Sequence, residues 1–107
     1  MQKHLVRYGT ATLLFFVASG LSFAQTGADT YKSKCAMCHG ADGMGNTPAG
    51  KSTKVVPFNA PELVAASDDD LIAATTNGKA KMPAYKGKLT DAQIKDVVAY
   101  IRTLQKK

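Results

Sequence analysis

The residues best equipped for chemistry are two cysteines and a histidine in the segment Cys35-Ala36-Met37-Cys38-His39. Cys35 and Cys38 are the only cysteines of the sequence. Thiols at this spacing form disulfides, act as redox dithiols, ligate metal ions or attach covalently to a haem group. The elements around the pair favour one of these chemistries over the others.

A redox dithiol and a zinc site both fit the flanking sequence poorly. A redox dithiol normally follows a β-strand and opens a helix, whereas this pair ends a helix predicted from Gly27 to Cys38. A structural zinc site needs four ligands, and beyond residue 24 the chain has only the two cysteines and one histidine. A disulfide that staples an exported interaction domain stays as the alternative.

The pattern Cys-x-x-Cys-His is typical of covalent haem attachment. The two thiols add to the vinyl groups of the porphyrin, and a nitrogen of the adjacent histidine reaches the iron from the same side. The sequence therefore predicts one haem c, with Cys35 and Cys38 as its tethers and His39 as an iron ligand.

A methionine is the expected second iron ligand, because a thioether closes the site and raises the reduction potential. Met37 lies between the two tethers, on the histidine side, and Met44 follows His39 by only five residues. Met82 lies in an irregular segment between two predicted helices, with Pro83 fixing the backbone beside it. Met82 is the predicted ligand, and the alternative is a methionine that fills a gap in the core.

The N-terminal segment, residues 1–24, is predicted to be a secretory signal peptide. It has the basic residues Lys3 and Arg7, an apolar middle and a small-x-small site that ends at Ala24. Cleavage there leaves one domain, residues 25–107, in the periplasm. The alternative is an uncleaved membrane anchor.

The domain of residues 25–107 is predicted to be all-α, with three to five helices and long loops. Besides the first helix, Ser67 caps a helix that stops at Gly78, and Thr90 opens the last helix with a capping box. Residues 40–50 are too rich in glycine for a helix, and residues 51–61 are expected to continue irregularly. No segment alternates apolar and polar residues as a half-buried strand does.

The sequence resembles the class I cytochromes c of the short bacterial and photosynthetic type. Gly27 and Tyr31 precede Cys35 by eight and four residues, and residues 96–101 look like the family's terminal helix. The resemblance implies a small cytochrome c fold, in which the N- and C-terminal helices cross at Gly27, with Tyr31, Val97 and Tyr100 packed there.

The resemblance also implies a proline carbonyl that accepts a hydrogen bond from the second nitrogen of the haem histidine. Pro48 follows His39 by nine residues, which matches the spacing in the short bacterial members. Pro57 and Pro61 are the alternatives if the loop folds differently.

These features predict an exported, monomeric one-electron carrier rather than an enzyme. Its expected partners are membrane-bound or soluble redox proteins that dock briefly. The formal net charge is +6, and six lysines fall in loops expected around the haem: Lys51, Lys54, Lys79, Lys81, Lys86 and Lys88. They would steer the protein toward an acidic partner or form a solvated surface.

Nucleic acid is disfavoured as a partner, because the protein is expected to be exported. Signal cleavage and the haem propionates also lower its positive charge. A small haem enzyme or gas sensor with an open iron stays as an alternative function.

Overall fold

The computed structural model describes residues 22–107 as six α-helices joined by loops. The helices are α1 (Ser22–Lys34), α2 (Ala36–His39), α3 (Pro48–Thr53), α4 (Pro61–Ala65), α5 (Asp68–Asn77) and α6 (Asp91–Leu104). Within this range there is no strand, only two isolated bridges. The all-α prediction is confirmed. The helix count exceeds the expected three to five, because α2, α3 and α4 are single short turns of four to six residues.

The predicted signal peptide lies almost wholly outside the described residues. Its cleavage point after Ala24 falls within the first turn of α1, and cleavage stays a prediction. Of the helices described in residues 22–107, none is both long and apolar enough to cross a bilayer.

The crossing of α1 and α6 organises the core. A Cβ atom on Gly27 would lie 2.5 Å from the carbonyl oxygen of Asp96 and 3.4 Å from the Cβ of Tyr100, so only glycine allows this approach. Tyr31 packs against Tyr100 with ring centroids 5.2 Å apart. Val97 is completely buried beside them. The predicted helix crossing is confirmed.

The helices α5 and α6 begin at the residues that the sequence predicts. The Thr90 hydroxyl accepts from the amide of Gln93 at 3.1 Å, and the Gln93 side chain accepts from the amide of Thr90 at 2.8 Å. The Ser67 hydroxyl accepts from the amide of Asp70 at 3.0 Å and so caps α5. Each cap satisfies amide groups that a helix N-terminus leaves without an internal partner.

The first predicted helix is divided in two at Cys35. α1 ends at Lys34, and α2 begins at Ala36. In one continuous helix the amide of Cys38 would donate to the carbonyl of Lys34, but it donates to the carbonyl of Cys35 at 3.3 Å. The amide of His39 also donates to Cys35, at 3.0 Å. The backbone therefore turns at the first cysteine.

The expectation that residues 40–61 lack helices is wrong for residues 48–53, which form α3. α3 begins at Pro48, because proline suits the first helical position and the Thr47 hydroxyl caps the helix by accepting from the amide of Gly50 at 2.9 Å. Gly50 contacts the carbonyl oxygens of Cys38 and Gly45 so closely that a side chain would not fit. The glycine thus serves packing rather than flexibility. α4 likewise begins at a proline, Pro61.

One arginine ties the α4–α5 connection to α6. The guanidinium of Arg102 donates to the carbonyls of Leu63 (3.3 Å) and Ala66 (2.5 Å) and to the carboxylate of Asp68 (2.8 Å). These bonds fix the segment that supplies one wall of the cavity described next.

Candidate haem-binding site

A cavity of about 360 Å³ opens between the cysteine motif and the segment that contains Met82. Four of the five predicted site residues line this cavity: Cys35, Cys38, His39 and Met82. Their positions in the sequence are far apart, and the fold brings them to one space. Its apolar walls include Leu63, Leu71, Val97 and Ile101. The fifth residue, Pro48, is exposed and is not part of the lining.

The two cysteines of the motif form no disulfide with each other. Cys35 belongs to the buried core together with Tyr31 and Val97, and Cys38 is half-buried. Burial, with a smaller contribution from Cys38, raises the pKa of the Cys35 thiol to about 11. The thiol is therefore protonated at neutral pH and stays uncharged against its apolar neighbours.

The imidazole of His39 is half-buried and favours the neutral state. Burial lowers its pKa below the ordinary histidine value. The ring stacks on Phe58, with centroids 4.5 Å apart and planes inclined by 15°. Its Nδ1 is buried and has no hydrogen-bond partner. A neutral imidazole is the form that ligates metal ions, and a buried polar atom without a partner is rare enough to indicate a functional site.

The hydrogen bond predicted between His39 Nδ1 and the carbonyl of Pro48 is not formed in this structure. Pro48 is the first residue of α3, so its carbonyl is directed toward the helix's own hydrogen-bonding pattern. The bond stays a prediction for the haem-loaded protein.

The backbone of the motif is fixed by groups from other segments. The carbonyl of Cys38 accepts from the Thr47 hydroxyl at 2.9 Å, and that of His39 accepts from the amide of Gly45 at 2.7 Å. The carbonyl of Gly40 accepts from the Tyr31 hydroxyl at 2.6 Å and from the amide of Gly43 at 3.2 Å. The second cysteine and the histidine are thus oriented by the protein itself.

Met82 lies in a tight turn on the other side of the cavity. Lys79 and Met82 exchange two backbone hydrogen bonds, of 2.9 and 3.2 Å. Gly78, at φ +76°, precedes this turn, and a Cβ there would lie 2.7 Å from the carbonyl oxygen of Met82 and 2.8 Å from the amide of Ala84. The close approach and the positive φ both require glycine.

Two aromatic residues of the site were missed by reasoning from the sequence. Phe58 orients His39, but it lies in a stretch that matches no pattern. Tyr85 lines the cavity three residues after Met82, and its hydroxyl donates to the carbonyl of Lys34 at 3.0 Å. Burial, followed by the electrostatic influence of Cys35 and Cys38, raises the pKa of Tyr85. An aromatic ring directly beyond the Met-Pro pair was the available signal for it.

The rim of the cavity is basic and partly apolar. Four lysines are among its lining residues: Lys34, Lys54, Lys79 and Lys81. Val56 also lines it and is 45% exposed, and Met37, between the two cysteines, is 78% exposed.

Comparison with known proteins agrees with this geometry. A protein-family model described as cytochrome c oxidase, cbb3-type, subunit III, matches residues 22–101. Cytochrome c6 of Nostoc sp. is 37% identical over 99 residues, which are 91% of this chain and 86% of that protein. The solved structure of the KustC0563 c-type cytochrome superposes with a TM-score of 0.68 and is 31% identical, covering 74% of this chain and 96% of that one.

The chain belongs to the class I c-type cytochromes. The cytochrome carries haem c, and it is an electron carrier. It is also 32% identical over 83 residues to the cbb3-type cytochrome c oxidase subunit CcoP of Azospirillum brasilense. That match covers 76% of this chain but 28% of the subunit.

Proposed function

We propose that this cytochrome holds its haem in the 360 Å³ cavity, with thioether bonds from Cys35 and Cys38 and axial ligation by His39 and Met82. The observation that carries the proposal is that the fold brings these four residues, which are far apart in the sequence, to one largely apolar space. The neutral His39 and its unpartnered Nδ1 fit an imidazole ligand.

The bound haem iron supplies a one-electron couple between ferrous and ferric states. The protein's part is to limit reorganisation: Val97 and Ile101 exclude water from the cavity, and Phe58 keeps the His39 ring in one orientation. Met82 would fill the remaining axial position, so that no substrate can bind there. We therefore propose that the protein is not an enzyme.

We further propose that electrons leave and enter through the rim of the cavity. Met37 and Val56 offer exposed apolar contacts, and the six predicted lysines are all exposed, with Lys54, Lys79 and Lys81 on the rim itself. A small apolar contact inside a basic ring suits brief docking on an acidic redox protein. The rate of reduction by such a partner should fall as ionic strength rises.

The proposed setting is the periplasm, after cleavage at Ala24, with the protein as a monomer. The basic start, the apolar middle and the small-x-small site of residues 1–24 support export.

Absorption spectra of the oxidised and reduced protein, made in cells that attach haem c, test the proposal. We expect the spectrum of a covalently bound haem, a reversible one-electron redox titration, and no binding of carbon monoxide by the reduced form. Carbon monoxide binding would favour an open-iron enzyme or gas sensor. A folded, colourless product would favour the disulfide-stapled domain.

A further inference from the structure

At the C-terminal end of α1, the carbonyl of Lys34 does not accept the backbone bond that would continue the helix. It accepts a hydrogen bond from a side chain of a distant segment instead. Because the amide of Cys38 turns to Cys35, it does not use the carbonyl of Lys34. Helix ends leave such carbonyls in need of a donor. The Tyr85 hydroxyl, 51 residues further along the chain, supplies it at 3.0 Å. The Lys34 carbonyl directly precedes the first cysteine.

Tyr85 follows Met82 by three residues, and backbone hydrogen bonds attach it to α5 and to residues 88 and 89. Its amide donates to the carbonyl of Thr75 at the end of α5, at 3.1 Å, and its carbonyl accepts from the amides of Lys88 and Leu89, both at 2.9 Å. The backbone around Tyr85 is therefore fixed, and its side chain reaches over the cavity. The phenol oxygen is the point where the methionine side of the cavity meets the cysteine side.

We propose that Tyr85 is a positioning residue, whose bond to the Lys34 carbonyl keeps the Met82 segment closed over the iron. This inference rests on the proposed ligation by Met82. Without the bond, the turn of Lys79–Met82 stays intact, but the segment loses its side-chain attachment to the end of α1. The segment then opens more often, and the iron is exposed for a larger fraction of the time.

Imidazole binding to the oxidised haem protein measures this opening. Imidazole must displace Met82, so its apparent affinity scales with the population of the open form. Tyr85→Phe keeps the ring and removes only the hydroxyl. We expect imidazole to bind roughly threefold more tightly to this variant, because an exposed hydrogen bond contributes toward the lower end of the usual range. The far-red absorption band of the oxidised protein reports the bond between the methionine sulfur and the iron. In this variant the band should be lost at a lower imidazole concentration than in the wild type.

Leu104→Ala is the control for a general loss of stability. Leu104 is buried in the core and does not line the cavity. This variant should lower the unfolding midpoint more than Tyr85→Phe does, yet change the imidazole affinity by less than about twofold. If Tyr85→Phe binds imidazole as the wild type does, or if both variants gain affinity equally, Tyr85 has no positioning role.

The wild-type spectrum separates this inference from the proposed function. If the oxidised wild type has the far-red band but Tyr85→Phe behaves normally, only the role of Tyr85 is overturned. If the wild type lacks the band, ligation by Met82 is wrong, and the inference is overturned with it.

Discussion

The α1–α6 crossing and the walls of the cavity are built in opposite ways from neighbouring residues. At the crossing, side chains fill each other's space, and Gly27 lets the backbones of the two helices touch. Around the cavity, α6 contributes Val97 and Ile101 to the wall of a space of about 360 Å³, and His39 has a buried nitrogen without a partner. One region is complete as protein, whereas the other has room and ligands for something more.

The contrast shows where the haem contributes to stability. Close-packed interiors leave few voids larger than a water molecule. A large apolar space beside a well-packed helix crossing therefore indicates that a cofactor completes the core. Substitutions at the crossing should change stability alone, and those at the cavity should also change the ligation or the reduction potential of the iron.

The largest expected effect is at the crossing. Gly27→Val places a side chain where the Asp96 carbonyl lies 2.5 Å from a Cβ, so we expect the free energy of unfolding of the haem protein to fall by about 3 kcal/mol. Guanidinium denaturation measures it. Ala99→Val, on the exposed face of α6, is the control and should change stability by less than about 0.5 kcal/mol. If Gly27→Val has the same free energy of unfolding as the wild type, the two helices do not cross as tightly as described.

A smaller effect is expected at Thr47, whose hydroxyl joins a helix cap to the cysteine motif. Its hydroxyl caps α3 and also donates to the carbonyl of Cys38. Thr47→Val should cost about 1–2 kcal/mol in the unfolding free energy and also shift the reduction potential. Ser67→Ala removes only a cap, at α5, and should cost about 1 kcal/mol with the potential unchanged. Equal potentials in both variants would mean that Thr47 acts as a cap alone.

The smallest effect is expected at the surface ion pair. Arg102 and Asp68 are 2.8 Å apart, but the Asp68 side chain is 70% exposed. Asp68→Asn should lower the unfolding free energy by about 0.5 kcal/mol, and less in high salt. Asp69→Asn lies in the same helical turn and controls for the helix dipole. If Asp68→Asn lowers the unfolding free energy by over about 1 kcal/mol more than Asp69→Asn does, the ion pair contributes more than a surface pair should.

The long helices could be predicted because their signals are local. The capping box at Thr90 and the cap at Ser67 each involve residues three apart, and both form as expected. The crossing came from the resemblance on Gly27 and Tyr31. α3 could not be predicted, because its sequence contains a proline and a glycine, which are typical of loops. Gly50 packs against carbonyls of other segments, and this role depends on the tertiary fold.

The site was only partly predictable for a related reason. Cys35, Cys38, His39 and Met82 belong to recognisable patterns, and the structure brings them to one cavity. Phe58 and Tyr85 act through contacts with residues 19 and 51 positions away. Such contacts depend on the tertiary fold and leave no periodic trace in the sequence.

The most direct test of the central proposal is the far-red absorption band of the oxidised protein in three forms: wild type, Met82→Ala and Met44→Ala. Met44 is an exposed methionine outside the cavity lining and is the matched control. We predict that the band is present in the wild type and in Met44→Ala. In Met82→Ala it should be lost, with a lower reduction potential. If the band survives in Met82→Ala or is lost in Met44→Ala, the iron is not held between His39 and Met82.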